Sequence, residues 1–424
     1  MKQKASPDRV RPFHIEVAAN LVGEIFKGKV PADALINQVF RKNRQMGRRD
    51  RSIVAETVYD VLRHRRVLEW LMGTEVTPRA LVLVSLLKQD LLDAGLRERY
   101  AELIPVGVDE RIGEESSLPL AVSLSLPDWL AEKWQQELGD EEVWALATAL
   151  NKAAPVDLRV NTLKTDRESL LAQLAAEGYQ AKPTPYSPLG LRLNDRSPLF
   201  SLQSFKDGLF EIQDEGSQLI GLATGVKPGM RVLDLCAGAG GKTLQMAAMM
   251  NNKGSIVACD ASPRRLSQLK PRLARAGVSN TQILPIAYEN DTKLTRLRGS
   301  FDVVLVDAPC SGTGTLRRNP DIKWREIDLE QLYHTQISLL EAAGRLVAPG
   351  GRMIYATCSL LQQENADIVE AFLTKHTDFI AIPLSLPESI RPQAQEAPVM
   401  LQLYPHRHGT DGFFMACLQR GQPS

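Results

Sequence analysis

The chain of 424 residues is 44% hydrophobic and 24% charged, and its 51 Lys+Arg against 50 Asp+Glu leave a formal net charge of +1. That composition excludes collagenous, disordered and disulfide-dense classes, and the length allows two or three hydrophobic cores. No apolar run reaches membrane-span length, MKQKASPDRVRPF holds no apolar signal core, and the five cysteines have no metal-ligand spacing. The expectations are a cytoplasmic monomer with no membrane partner and no metal.

Residues 1–124 read as an all-helical domain. Val54, Val58, Val61 and Leu62 recur at helical spacing, with Arg51, Arg63 and Arg66 at polar positions between them. The run 41–66, which includes Arg48 and Arg49, carries nine Lys/Arg against three Asp/Glu. Such a run suits phosphate neutralisation, and a solvated helix face is its simpler alternative. The polar stretch GVDERIGEESS at 107–117 predicts a linker. In SLPDWLAEKWQQEL, Ser125 is a candidate N-cap, with Pro127 early in the helix. Residues 125–207 then predict a small α+β domain. Its strands are VDLRVNT, GLRLND and GLFEIQD, and its helix is DRESLLAQLAAEGY, ending near Gly178. From 208 to 424 the apolar runs RVLDL, SIVACD, DVVLVDAP and GRMIYATCS alternate with helical stretches. Such alternation predicts an α/β fold with a doubly wound, mostly parallel sheet. Residues 401–404 and 412–418 predict a terminal antiparallel hairpin.

RVLDL runs into CAGAGGKT at 236–243 and then into a helix, which brings backbone N–H groups to the carboxyl edge of the sheet. A P-loop needs glycine five positions before Gly241, where Cys236 stands, and a dinucleotide fingerprint needs glycine at Thr243. The shorter turn that remains suits a cofactor without pyrophosphate, namely S-adenosylmethionine. Asp260, at the end of SIVACD, is placed to accept from ribose hydroxyls; its alternative role is a helix N-cap.

DAPC and YATC place Cys310 and Cys358 just beyond apolar strands, in polar surroundings where reactive thiols occur. A thiolate adding to carbon 6 of cytosine makes carbon 5 nucleophilic enough to accept a sulfonium methyl. An acid must then stabilise charge at N3, and Asp307, three residues before Cys310, is the candidate. Pro309 fixes the loop between them. Cys236, Cys259 and Cys417 read as small buried hydrophobes, with the Cys236 backbone lent to the glycine turn.

DLCAGAGGKT, DAPCSGTG with RRNPDIKW, YATCS followed by ENADIVEAF, LRVNTLK and FEIQDEGSQL together resemble the Sun/Fmu family of RNA (cytosine-5) methyltransferases, over nearly the whole chain. RRDRSIVAETVYDVLRHRRVLEWL resembles the helical RNA-binding factor NusB. The resemblance implies a Rossmann-like class I methyltransferase sheet behind a small α+β domain and a NusB-like domain. Its implied substrate is 16S ribosomal RNA, with transfer RNA as the alternative. It implies that Cys358 is the nucleophile and that Cys310 assists product release. Cys236, Ala237, Gly238, Ala239, Gly240, Gly241, Lys242, Asp260 and Asp307 would form the cofactor site. Two departures stand out: CAGAGGK replaces the family's CAAPGGK, and Ile286 or Ala287 occupies the place of an acidic residue after the third strand. Glu289 and Asp291 are the nearby acids. An amino-group methyltransferase would carry Asn/Asp-Pro-Pro-Tyr where DAPC stands. A catalytically silent assembly factor would not need Cys358, Asp307 and the glycine turn intact.

Overall fold

The apolar spacing before residue 124 does produce helices. In a computed structural model, which describes residues 10–73, 75–114, 117–194, 198–391 and 397–422, the chain divides into two compact units. One runs to Ala153 and takes in Thr315–Ile327; the other comprises Ala154–Gly314 and Asp328 onward.

In the first unit, helices Pro12–Phe26, Ala32–Lys42, Arg48–Met72 and Pro78–Lys88 surround a core in which Ile15, Val22, Val54, Val58, Val61, Leu62 and Leu81 are fully buried. The stretch predicted as a linker is instead tied down, because Val108–Arg111 forms a helical turn and Val108 enters the core. Residues 115 and 116 lie outside the described residues. Ser125 is not an N-cap. Its φ is +49°, and its hydroxyl accepts from the Val67 N–H at 3.2 Å. The helix Asp128–Leu138 starts after Pro127 without a side-chain cap, and Asp140–Leu150 follows it. The segment Pro320–Trp324, from the RRNPDIKW run, belongs to this unit. Its Lys323 Nζ donates to the carbonyls of Arg63 and Ser125, both at 3.0 Å, and to Asn151 Oδ1 at 2.6 Å. Trp324 Nε1 donates to the Leu62 carbonyl at 2.7 Å.

The second unit holds two sheets. Strands β1 (Asp157–Val160), β2 (Ala181–Pro183), β3 (Gly190–Leu193) and β4 (Phe210–Ile212) form an antiparallel sheet in the order β2-β3-β1-β4. Its covering helix, Arg167–Ala176, is capped by Asp166 and ends just before Gly178, whose φ is +87°.

The larger sheet comprises β5 (Arg231–Asp234), β6 (Ser255–Asp260), β7 (Thr281–Pro285), β8 (Phe301–Asp307), β9 (Val347–Thr357), β10 (Phe379–Ala381), β11 (Met400–Leu403) and β12 (Phe413–Arg420). The order is β10-β12-β9-β8-β5-β6-β7, with β11 beside β12. Strands β5 to β9 pair in parallel, and β12 runs antiparallel to β9, β10 and β11. The apolar runs are continuous because both faces of the sheet are covered. Val303 and Leu305 pack with residues of helices Glu215–Ala223 and Gly241–Met249. Val304 and Val306 pack with residues of helices Leu329–Leu346 and Ala366–Lys375. The sheet is thus doubly wound and Rossmann-like. Its order reverses between β5 and β8, where open α/β sheets bind ligands beyond the strands' carboxyl ends. No described helix is long and apolar enough to cross a membrane.

Candidate active site

A cleft of about 630 Å³ opens at that reversal, lined in part by Cys236, Asp260, Ile286, Asp307, Cys310 and Cys358. Its volume is that of a small-molecule site.

The glycine turn forms one wall. Gly238 and Gly240 have φ of +55° and +84°, a region that favours glycine. A Cβ on Gly238 would lie 2.4 Å from Arg265 Nη2, and one on Gly240 would lie 2.0 Å from Leu269 Cδ1. Asp260 latches the turn: its carboxylate accepts from the N–H groups of Gly238 and Ser262, both at 2.7 Å. The helix cap at this point is Ser262, not Asp260. Of the turn residues, Cys236 reaches the cleft. The others shape the turn: Ala237 donates to the Cys259 carbonyl, Arg272 holds the Ala239 carbonyl and Arg159 holds the Gly241 carbonyl, each at 2.7 Å, while Gly240 starts the helix. Lys242 points across to Asp307, with Nζ 2.7 Å from Oδ2. Beneath them lies Asp234, which the sequence did not single out. Burial pushes its carboxyl up to about 7, against the pull of the Thr243 hydroxyl that donates to it at 2.6 Å.

The parallel register of β8 and β9 delivers both strand-end cysteines to one point, with the Cys310 and Cys358 sulfurs 3.3 Å apart. The hydrogen bond with Cys358, then burial, hold the Cys310 thiol well above its ordinary value, and the charge of Glu364 adds to this. Behind the pair, the Gly314 N–H donates to the Cys358 carbonyl at 2.9 Å, and the Gly412 N–H donates to the Gly314 carbonyl at 2.8 Å. A Cβ on Gly314 would lie 2.1 Å from the Gly412 carbonyl oxygen, so this backbone crossing requires glycine. Glu364 is fully buried beside both loops and accepts from Ser311, Ser359 and Gln336. It lies within the ENADIVEAF run, where no spacing rule marks a lone acid. Burial pushes the thiols of Cys259 and Cys417 up to about 12 and about 11, as suits core residues.

Where the family's acidic residue is absent, Ile286, Tyr288 and Glu289 line the cleft. Asp291 is committed elsewhere. Its carboxylate accepts from the N–H groups of Lys293 at 3.0 Å and Ala287 at 2.9 Å, which hold it below the ordinary range.

In the helical unit the basic run 41–66 splits into two sets. Arg51 Nε donates to the Met46 carbonyl at 3.0 Å, and Arg63 donates to the Arg317 carbonyl at 3.2 Å. Arg65 pairs with Glu69 and lies over the rings of Phe26 and Trp324, and Arg66 holds the Leu126 carbonyl and Asp128. These four cations serve the fold. Arg41, Lys42, Arg44, Arg48 and Arg49 are exposed.

Residues 223–419 match the family described as 16S rRNA methyltransferase RsmB/F, and residues 126–199 match the ferredoxin-like domain described for RsmF/B-like proteins. Ribosomal RNA small subunit methyltransferase B of Pectobacterium carotovorum is 30% identical over 433 residues, spanning 95% of this chain and 97% of that protein. Ribosomal RNA small subunit methyltransferase F of Serratia proteamaculans is 36% identical over 271 residues, spanning 62% of this chain and 56% of that protein. Among solved structures, PH0851 superposes with a TM-score of 0.77 at 27% identity, covering 97% of this chain and 99% of its own.

Proposed function

Because this chain belongs to the RsmB/F family of 16S rRNA methyltransferases, we propose that it methylates carbon 5 of a cytosine in small-subunit ribosomal RNA, with Cys358 as the attacking thiolate. The observation that carries this reading is the pair of strand-end sulfurs, 3.3 Å apart, in one cleft with Asp307. Carbon 5 of cytosine needs activation, and two thiols with an acid are the means. The Cys358 thiolate adds its electron pair to carbon 6. The Lys242–Asp307 pair supplies the proton that neutralises the negative charge developing toward N3. After carbon 5 is methylated, its proton leaves to a base and the carbon 6–sulfur bond breaks, returning the pair to Cys358. Cys310, whose sulfur lies 3.3 Å from that of Cys358, assists this release.

The cofactor of this reading is S-adenosylmethionine, which when bound supplies an electrophilic methyl group on a sulfonium. The wall formed by Cys236 and Asp260 fits it. The turn carries no pyrophosphate fingerprint, and Asp260 spends one bond on each oxygen, so its carboxylate keeps acceptor capacity for ribose hydroxyls. Exposed Arg41, Lys42, Arg44 and Arg48 supply RNA phosphate contacts.

Two variants test the division of labour. Cys358→Ala should abolish methylation and form no protein–RNA adduct. Cys310→Ala should still attack and methylate, then stall as an RNA-linked species that survives denaturation and requires S-adenosylmethionine. An adduct from Cys358→Ala and none from Cys310→Ala would exchange the two roles.

A further inference from the structure

Four donors from three segments converge on the buried carboxylate of Glu364. The Ser311 N–H at 2.8 Å and Gln336 Nε2 at 3.0 Å reach Oε1, and the hydroxyls of Ser311 and Ser359 reach Oε2. That is the full accepting complement of a carboxylate. Ser311 directly follows Cys310, and Ser359 directly follows Cys358. Gln336 also donates to the carbonyl of Pro309, the residue before Cys310, at 3.0 Å. The Tyr355 hydroxyl fixes the backbone of Glu364 itself, donating to its carbonyl at 2.6 Å. Thr313 laces the loops together on the far side: its Oγ1 accepts from the Leu360 N–H at 2.9 Å and lies 3.2 Å from Ser359 Oγ.

A buried acid is often only fold glue. Here, however, the bonds end on the neighbours of the two sulfurs, at strand ends where no ladder hydrogen bonds remain to hold them. We infer that Glu364 is a positioning residue for the methylation reaction: one buried carboxylate sets the separation of the Cys310 and Cys358 sulfurs by gripping the residue after each. The role rests on the function proposed above. Charge-assisted bonds in a dry interior are strong and mutually reinforcing, which suits a device that must keep two loops in register while a base enters between them. The isosteric amide of Glu364→Gln keeps the shape, and the serine hydroxyls can accept its N–H groups, but it removes the negative charge that strengthens all four bonds, so the grip on both loops weakens.

The test reads the sulfur spacing without RNA or cofactor. Full-length wild type and Glu364→Gln are titrated with phenylarsine oxide, a trivalent arsenical that bridges two thiols only when they stand close. Cysteines left free are then alkylated and located by mass spectrometry. The wild type should protect Cys310 and Cys358 together, and Glu364→Gln should need on the order of tenfold more reagent. In parallel, Glu364→Gln should lower the single-turnover methylation rate by on the order of tenfold to a hundredfold, with cofactor affinity and KM for RNA within about twofold. If thermal melting shows that this variant does not fold, Ser359→Ala, which removes one donor, should show a smaller change in the same direction. Arsenical protection equal to wild type in folded Glu364→Gln, or a rate loss matched by an equal loss of cofactor affinity, would overturn the positioning role. Altered protection, in proteins that methylate no cytosine even as wild type, would overturn the functional reading and leave the grip of Glu364 on the two sulfurs standing.

Discussion

Replacing Asp234 with Asn removes a carboxylate from a dry interior and should stabilise the catalytic unit in a pH-dependent way. Asp234 is 1% exposed, and its Oδ1 has no partner among the described residues. Burial, with a contribution from Asp307, pushes its carboxyl from 3.8 to about 7. That gap corresponds to at most about 4 kcal/mol, at about 1.4 kcal/mol per pH unit. Well below pH 3.8 the group is protonated whether the chain is folded or not, and it costs nothing. As the pH rises, the unfolded chain releases its proton near 3.8 while the folded chain holds it until about 7, so wild-type stability falls across that window. Above about 7 the loss is complete. Asp234→Asn keeps an acceptor for the Thr243 hydroxyl and escapes the loss. Calorimetric melting of both proteins between about pH 3 and pH 8 checks this. The two melting temperatures should nearly coincide at the acid end. They should then separate, by roughly 2–4 °C per kcal/mol for a unit of this size, and stop diverging above about pH 7. A separation independent of pH, or a variant less stable than wild type at the alkaline end, would refute the assignment of a buried, proton-holding Asp234.

Asp260→Ala unlatches the Gly238 and Ser262 N–H groups, and calorimetry should show S-adenosylmethionine binding weakened on the order of tenfold to a hundredfold. Unchanged affinity would remove Asp260 from the site. Replacing Arg41, Lys42, Arg44 and Arg48 together should flatten the logarithmic salt dependence of RNA binding by roughly 3 units. An identical slope would make them a solvated face. Gly314→Ala drives a methyl group into the Gly412 carbonyl, so it should cost about 1–3 kcal/mol in melting and slow methylation by moving the Cys358 carbonyl. Wild-type melting and rate together would show that the crossing yields freely.

The sheet was legible because β5, β6, β8 and β9 are apolar on both faces, and Cys310 and Cys358 because each closes such a run. Strand β2 was not: Ala181–Pro183 ends in proline and its residues are not buried, so nothing in its composition marks a strand. Ser125 looked like a cap because Ser-x-Pro often starts a helix, but the left-handed backbone there turns its hydroxyl to Val67 instead. A basic run shows how many cations are present and not how many are spent, since Arg51, Arg63, Arg65 and Arg66 find their partners only in the fold. Glu364 was hidden for the same reason. Its four donors come from positions 311, 336 and 359, and no local pattern connects them.

A ribosome delivers this chain from its N-terminus, and domains made first generally fold first. The helical unit cannot quite obey, because its core takes in Trp324 and its interior acceptors on Arg63, Ser125 and Asn151 wait for Lys323. Until Thr315–Ile327 emerges, the nascent helices hold an open slot with unsatisfied carbonyls, a surface that invites chaperones or aggregation. By the time that slot closes, β8 and the Cys310 loop have already been synthesised. The last step in building the helical unit therefore comes only after half of the thiol pair is in the chain.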